Sequence, residues 1–352
     1  MTEWTDPDTF AAALDRAETL EKGNYFEAFG EGDEIAHDAG IRLSRHGNDQ
    51  WMSQTLNHDP TYWRTDAARE RGFDEPPIHP DYLLACTMGP SVEDLSEKGG
   101  YFLGRDGVQL HDPEVYPGTE LRVESTVEAT RSSSSRPEYG IVTWETRGRD
   151  AETGEILLSY ERTNMVPRRE PLETDGGEPA SDTVSDEDDP PSLPGELIVP
   201  DGPSFADFRA VLDRAEDRDA AVAYRHERGR TMDDTLVSGL PLSTLNTAKQ
   251  HHDTDYMADS PSGDIVTYGD VTRSIALGHA RSDERTYREL AYGDERFHTF
   301  VTPGDTVSGF TRVLGADPDR GPADCGLVRF RHVAFNQNRT PVYSGTREAI
   351  IR

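Results

Sequence analysis

The feature of this chain that most constrains its fold is an internal repeat. The segment YPGTELRVESTV at 116–127 matches TPGDTVSGFTRV at 302–313, and GIVTWET at 140–146 matches GLVRFRH at 326–332, so both matches share one offset in the numbering. Each pair is typical of a Pro-Gly turn that enters an alternating strand, followed by a second strand that begins at glycine. A constant offset between matches in the same order predicts a tandem duplication, so the chain should contain two copies of one fold.

A second set of matches, upstream of the first, indicates the main helix of each copy. Thr-Leu-Asn at 55–57 recurs at 244–246, and Asp81 recurs as Asp270, again with one offset common to both. Each Asp precedes an apolar run, and its carboxylate can cap the free N–H groups of a first helical turn. We therefore expect one helix per copy with one buried face. The later strands alternate with period two, which predicts an α+β fold whose antiparallel sheet wraps the helix in each half.

An acidic stretch separates the two copies. Residues 170–190 (EPLETDGGEPASDTVSDEDDP) contain nine acids and no Lys or Arg, with Pro, Gly and Ser between them. Such a segment repels itself and offers no apolar surface for a core, as expected of a solvated linker. The predicted domains are residues 1–169 and 197–352, joined by an acidic disordered linker over 170–196.

The charge composition argues against one class of partner without indicating a function. The chain has 67 Asp plus Glu against 36 Lys plus Arg, a net charge of -31. A nucleic-acid-binding surface needs concentrated positive charge, so we expect no nucleic-acid partner. The acids are spread along the chain, and only Lys22, Lys98 and Lys249 are lysines. This pattern favours a halophilic protein, because high salt screens self-repulsion over a few ångströms.

The sequence also predicts the compartment. No apolar run approaches the length that a membrane-spanning helix needs, and no basic region followed by an apolar region opens the chain. Cys86 and Cys325 have neither a pairing motif nor metal-ligand spacing, which fits a reducing environment. We expect a soluble, cytoplasmic protein with no membrane partner. The sequence leaves open whether two chains form a homodimer.

The repeat resembles the hot-dog fold, and its paired form resembles the double hot-dog hydratases of the MaoC-like family. Those enzymes add water to enoyl-CoA thioesters, and their signature is Asp-x-Asn-Pro-x-His followed by a Gly at the start of the helix. Here NTAKQH at 246–251 occupies the signature and Gly269 the helix start. NTAK before a histidine, YG at 268–269 and NMVPRR at 164–169 further resemble the mesaconyl-CoA (2-methylfumaryl-CoA) hydratases. The resemblance implies reversible hydration of a short enoyl-CoA, most closely mesaconyl-CoA to β-methylmalyl-CoA.

The resemblance implies roles for residues of the second copy. His251 falls at the family's catalytic histidine, and an imidazole can take a proton from water near neutral pH. Asn246 replaces the catalytic Asp and can hold water or the thioester but cannot accept a proton. Asp253 is the nearest carboxylate that can share the acid–base work. Gly269 should offer an N–H group to the thioester oxyanion at the positive end of the helix. Lys249 can meet a substrate carboxylate or a CoA phosphate.

The same alignment predicts further substrate contacts. Tyr268 directly precedes the helix-start glycine. In the first copy Asn57 and Tyr62 stand where Asn246 and His251 stand in the second, so a phenol replaces the working imidazole. We therefore expect the first copy to be non-catalytic and to shape the acyl-CoA tunnel with Asn57 and Tyr62.

Two alternatives stay open at this point. His251, His252 and Asp253 are candidate metal ligands, but HExxH and paired CxxC motifs are absent, so we predict no metal. We also predict no cofactor beyond the CoA of the substrate. The fold is shared by thioesterases and by acyl-CoA binders without turnover, and fold alone does not separate them. Thioesterases usually carry a carboxylate on the helix, whereas DVTRSIALGHAR has only Asp270 at its start.

Overall fold

The first copy lies in residues 3–172 of a computed structural model, which describes residues 3–172 and 193–352. Most of the predicted linker over 170–196 falls outside the described residues, and the domain boundaries stay a prediction. The elements of the first copy are α1 (Pro7–Leu14), β1 (Glu34–Ala36), β2 (Ile41–Arg42), α2 (Arg45–Gln54), α3 (Thr65–Glu70), α4 (Pro80–Met88), α5 (Val92–Leu95), β3 (Tyr101–Leu110), β4 (Glu120–Ser132), β5 (Tyr139–Asp150) and β6 (Ile156–Pro167).

The second copy repeats this order at the predicted offsets. Its main helix begins at Gly269, the counterpart of Pro80, and its long strand begins at Thr306, the counterpart of Glu120. The predicted duplication is thereby confirmed, together with the helix start and the strands that the repeat predicted in each copy. The elements are β7 (Glu196–Ile198), α6 (Phe205–Glu216), β8 (Ala220–Thr231), α7 (Leu240–Ser243), α8 (Thr254–Met257), α9 (Gly269–Asp283), β9 (Thr286–Phe297), β10 (Thr306–Asp317), β11 (Gly326–Phe335) and β12 (Pro341–Ile351).

The strands of both copies join into one continuous sheet. Among the described residues its order is β1-β4-β5-β6-β3-β9-β12-β11-β10-β8-β7, with β2 also beside β4. The pairs are antiparallel except β7 with β8. The copies meet where β3 pairs with β9, and Arg105 there stands opposite Glu295. Side chains of one copy can therefore reach the helix of the other.

The helices α4 and α9 begin where predicted, but the predicted aspartate caps and one-sided burial are wrong. The side chain of His79, not of Asp81, accepts the first-turn N–H bond of α4. Within the described residues, no side chain caps α9. Every residue of α4 is buried, as is the whole stretch 270–281 of α9, because sheet and partner copy together enclose each helix. Helices enclosed on all sides bury polar residues that need internal partners.

Buried ion pairs supply those partners and join the two helices. The carboxylate of Asp81 on α4 accepts hydrogen bonds from Arg273 and Arg281 of α9, at 2.5 Å from Arg281 Nη1. Arg273 also donates to Glu295 at 2.5 Å, and Arg281 to Glu289 at 2.8 Å. Charges this deep are strongly unfavourable unless they are paired. The pairs therefore tie α4 to α9 and to strand β9.

The Thr-Leu-Asn turn of each copy packs against the main helix of the other. A Cβ atom added at Gly278 of α9 would lie 2.5 Å from the carbonyl oxygen of Thr55. One added at Gly89, directly after α4, would collide with the carbonyl of Thr244. Only glycine permits backbones to approach so closely. This contact places the loop 246–251 of the second copy against the end of α4.

Candidate active site

A cavity of about 440 Å³ lies between the two copies at the N-terminus of α9. The second copy lines it with the loop after Thr244 and with the first residues of α9, and the first copy with parts of β3 and β6. The structure thus brings four sequence-predicted residues to one cavity. Its lining includes Arg105, Arg162, Asn164, Asn246, Gln250, His251, Tyr268, Gly269 and Asp270.

His251 is held in one orientation with one tautomer. It ends the 3₁₀ turn Lys249–His251, and its side chain is buried. Nδ1 lies 2.8 Å from the carbonyl oxygen of Val266. Because a carbonyl only accepts, Nδ1 carries the proton and Nε2 keeps its lone pair, 3.4 Å from the side-chain amide of Gln250. Burial lowers the pKa of His251 to about 4, outweighing the opposite effect of the Val266 bond, so the imidazole is neutral at pH 7.

The N-terminus of α9 presents N–H groups to the same cavity. In the described part of the chain, the N–H groups of Gly269 and Asp270 have no acceptor. They form the positive end of the helix dipole. A Cβ atom at Gly269 would lie 2.7 Å from the ring of Phe297, so the position has no room for a side chain. Free N–H groups without a covering side chain can stabilise an oxyanion.

Tyr268 connects the start of α9 to the buried charges. Its hydroxyl donates to Asp270 Oδ2 at 2.6 Å, and its ring centroid lies 5.5 Å from that of His251. Asp270 in turn pairs with Arg105 at 2.5 Å, and Arg105 with Glu295 at 2.6 Å. The Asp270 carboxylate therefore borders the cavity but is already engaged by a phenol and a guanidinium.

The structure does not bring Asp253 and Lys249 to the cavity, and their predicted roles there find no support in the geometry. Asp253 accepts the N–H of Tyr256 at 2.9 Å and so caps α8. Lys249 is exposed, with its ammonium 5.2 Å from the centroid of the Tyr256 ring. Successive residues of a 3₁₀ turn lie 120° apart, so Lys249 and His251 face different directions.

Asn57 and Tyr62 lie at the corresponding place in the first copy, outside the described lining of the cavity. The buried Tyr62 ring packs 4.4 Å from the ring of His79. His79 Nε2 lies 2.9 Å from Asn57 Nδ2, and its Nδ1 lies 3.1 Å from the backbone nitrogen of Asp81. Both ring nitrogens are therefore occupied. The first copy contributes to the cavity through β3 and β6 instead of through the predicted pair.

Sequence reasoning missed several polar residues that line the cavity. The strand β6 alternates, so Tyr160, Arg162 and Asn164 all project toward the interior. This alternation is the signal that could have identified Arg162 and Asn164. His298, whose Nε2 lies 2.9 Å from Ser344 Oγ, also borders the cavity and has no such signal.

Residues 3–172 and 193–352 contain neither a metal-ligand cluster nor a membrane-spanning helix. Nowhere in these ranges do three His, Cys, Asp or Glu side chains cluster in a way that could hold a metal ion. The same ranges contain no helix with the length and apolar character needed to cross a membrane.

Comparison with known proteins assigns the family. The family model described as mesaconyl-CoA hydratase matches residues 3–352. The chain belongs to this family. Two curated relatives named mesaconyl-CoA hydratase, from Haloarcula hispanica and Haloarcula marismortui, are 68% and 67% identical, covering 100% of this chain and 99% of each relative. A Chloroflexus aurantiacus relative named beta-methylmalyl-CoA dehydratase is 26% identical over 89% of this chain and 88% of its own.

Family membership confirms the predicted enzyme class. The chain is a hydro-lyase, which sets aside the thioesterase and the non-catalytic binder. The relatives from Haloarcula also support the halophilic interpretation of the acidic composition.

Solved structures confirm the predicted double hot-dog fold. A protein from Chloroflexus aurantiacus described as a MaoC domain dehydratase superposes with a TM-score of 0.76 at 22% identity, covering 95% of this chain and 99% of that one. A Mycobacterium tuberculosis protein with a double hotdog fold gives a TM-score of 0.71 at 21% identity, covering 93% and 98%. At these identities the likeness concerns the fold alone.

Proposed function

We propose that this hydro-lyase reversibly adds water to mesaconyl-CoA, giving β-methylmalyl-CoA. Relatives 68% and 67% identical bear the name mesaconyl-CoA hydratase, and the Chloroflexus relative is named for the reverse direction. The substrate supplies the CoA, and no separate cofactor takes part in the proposed reaction. The homodimer considered from the sequence stays a prediction.

One observation supports the proposed mechanism above all: His251, whose Nδ1 proton is bound by Val266 and whose Nε2 keeps its lone pair, lines the same cavity as Gly269 and Asp270 with their free N–H groups. In the proposal, Nε2 takes a proton from water while the water oxygen bonds to the β-carbon. The electron pair of the double bond moves to the thioester, and the N–H groups stabilise the charge on its oxygen. The imidazolium then gives its proton to the α-carbon, which completes the addition of one water molecule.

Asn246 holds groups in place in this scheme and transfers no proton. Its side chain is buried, and its Oδ1 accepts the N–H of Ala248 at 3.1 Å. A neutral amide cannot act as a base, although its NH₂ group can orient water or the thioester. His251 therefore serves as base and then as acid, where the family pattern has an Asp and a His. This one-residue scheme removes the need for Asp253.

Substitution of His251 tests the proposal. His251→Ala should lower kcat at least about 100-fold, the usual effect of removing a general base. The assay follows loss of enoyl-thioester absorbance with mesaconyl-CoA in high salt, with circular dichroism to verify folding. Tyr62→Phe, at the equivalent position of the first copy, is the matched control and should retain most of the activity. Near-normal turnover in His251→Ala would remove His251 from the mechanism, and equal losses in both variants would contradict the asymmetry between the copies.

A further inference from the structure

Arg162 is a buried cation that pairs directly with no carboxylate of the described residues. Its side chain is 1% exposed, and no described residue forms an ion pair or hydrogen bond with its guanidinium; the Nε and Nη2 atoms are buried and unpartnered. The guanidinium lies 5.2 Å from the centroid of the Trp144 ring, an interaction that does not neutralise its charge. The other fully buried arginines each have a carboxylate partner; they are Arg105, Arg273, Arg281 and Arg347.

Arg162 lines the cavity, so a bound ligand could supply the anion that pairs with it. On β6 it stands opposite Arg105 of β3, and both line the 440 Å³ cavity. Asp270 and Glu295 compensate Arg105, whereas the acids of this cluster leave Arg162 unpaired. Burial lowers the pKa of the Arg162 guanidinium, yet an arginine stays protonated at neutral pH. Asp270 acts on this guanidinium from a distance but forms no ion pair with it. A buried charge without a direct partner is unfavourable, so a ligand anion that enters the cavity would be bound well.

We propose that Arg162 binds the free carboxylate of the acyl group of the substrate. This inference rests on the proposed function, because mesaconyl-CoA carries a carboxylate attached directly to the β-carbon that receives water. With the thioester oxygen at the N-terminus of α9, that carboxylate remains inside the same cavity. A guanidinium offers it two parallel N–H donors, the geometry in which arginine recognises carboxylates.

Asn164 completes this carboxylate subsite. It follows Arg162 on the inward face of β6, is 5% exposed, and its Oδ1 has no partner among the described residues. In the product, the new hydroxyl sits on the carbon that bears the carboxylate. Its O–H supplies the donor that Asn164 Oδ1 lacks.

The phosphates of CoA are a poorer match for Arg162 than an acyl carboxylate. They belong to the large hydrated part of the thioester, which cannot enter a site where the cation is 1% exposed. Arg136 also lines the cavity but is exposed, with its guanidinium 4.5 Å from the centroid of the Tyr101 ring. Arg136 therefore offers a matched control: a cation at the same cavity that solvent already reaches.

The test compares two substrates in three proteins. Mesaconyl-CoA and (E)-2-methylcrotonyl-CoA differ only by a carboxylate or a methyl group on the β-carbon. In Arg162→Met, the ratio of their kcat/KM values should fall about 100-fold or more, through loss of activity on mesaconyl-CoA alone. Arg136→Gln should leave the ratio unchanged. Where turnover of the methyl substrate is too slow, inhibition constants of the saturated esters methylsuccinyl-CoA and 2-methylbutyryl-CoA give the same comparison.

Two further readouts separate recognition from a structural role. Removing an unpaired buried charge should not lower the unfolding temperature of the free enzyme, and Arg162→Lys should retain part of the discrimination. If Arg162→Met leaves the ratio of the two kcat/KM values unchanged, whether both activities fall equally or neither falls, the assignment of Arg162 is overturned. If the unmodified enzyme hydrates the methyl substrate but not mesaconyl-CoA, the proposed function itself fails.

Discussion

Asp81→Asn tests how strongly the buried ion pairs hold the two copies together. Asp81 is 1% exposed, and its carboxylate accepts bonds from Arg273 and from Arg281 Nη1 and Nη2, the latter two at 2.5 and 3.3 Å. An asparagine of the same shape has one acceptor oxygen, and its NH₂ group would face guanidinium donors. The substitution therefore leaves two buried cations incompletely paired.

The expected loss in the free energy of unfolding depends on the carboxylate partners that Arg273 and Arg281 still have after the substitution. Breaking a buried pair by removing one partner typically costs about 3–5 kcal/mol. Arg273 keeps Glu295 and Arg281 keeps Glu289, so we expect the lower end, about 3 kcal/mol in the free energy of unfolding. Reversible urea unfolding at pH 7 and constant high salt measures it. The loss should persist as salt is raised, because buried pairs are screened much less than exposed ones.

Asp66→Asn is the matched control for this measurement. Asp66 pairs with Arg64 on the surface, where the two side chains are 63% and 62% exposed. Exposed ion pairs contribute little to the free energy of unfolding, so Asp66→Asn should not change the midpoint of urea unfolding. A loss below about 1 kcal/mol for Asp81→Asn, or equal shifts in both variants, would refute the view that these pairs stabilise the contact between α4 and α9.

Two other predictions concern the cavity. Gly269→Ala should lower kcat/KM about 100-fold without unfolding the protein. The new Cβ atom would lie 2.7 Å from the Phe297 ring, so the backbone at residue 269 would have to shift and move its N–H donor. Unchanged steady-state kinetics would exclude an oxyanion role for Gly269. A base must be deprotonated to act, so with a His251 pKa of about 4, kcat/KM should stay constant from pH 7 down to about 5.5 and fall only as pH approaches 4. A pH–rate profile that already declines below pH 6.5 would show that the imidazole is solvated.

Most of the fold and of the site that could be predicted from the sequence was predicted from the internal repeat. One offset is shared by the Thr-Leu-Asn turn and the helix start, and a second by the later strands. Because each requires equivalent backbones in the two copies, the first placed the start of α9 and the turn before His251 correctly. It also predicted that Asn246 and Gly269 would lie near the histidine, and both line the cavity. Local turn chemistry and strand alternation are short-range properties, which is why they were visible in the sequence.

Contacts between the copies could not be predicted in the same way. The alternation of β6 shows only that Arg162 faces inward. The pairing of β3 with β9, which brings Arg162 of the first copy to the cavity beside α9, is set by tertiary packing. Lys249 was chosen for its nearness to His251 in sequence, but direction in a 3₁₀ turn changes by 120° per residue. The buried Asp81 was read as a cap because its need for an arginine partner is a long-range property.

A tyrosine and a histidine exchange places between the two copies, and this exchange explains why only the second copy is proposed to be catalytic. At the offset that relates Asn57 to Asn246, Tyr62 corresponds to His251 and His79 to Tyr268. The imidazole of His79 accepts the N–H of Asp81, so it occupies the first turn of α4 and loses its own free nitrogen. A phenol at 268 makes no such bond: Tyr268 donates to the Asp270 side chain, which leaves the first N–H groups of α9 open. The copy whose histidine stands in the loop thus keeps free oxyanion donors and an unprotonated Nε2 that only the Gln250 amide approaches, at 3.4 Å. The copy whose histidine caps the helix has its imidazole bound to the first turn instead.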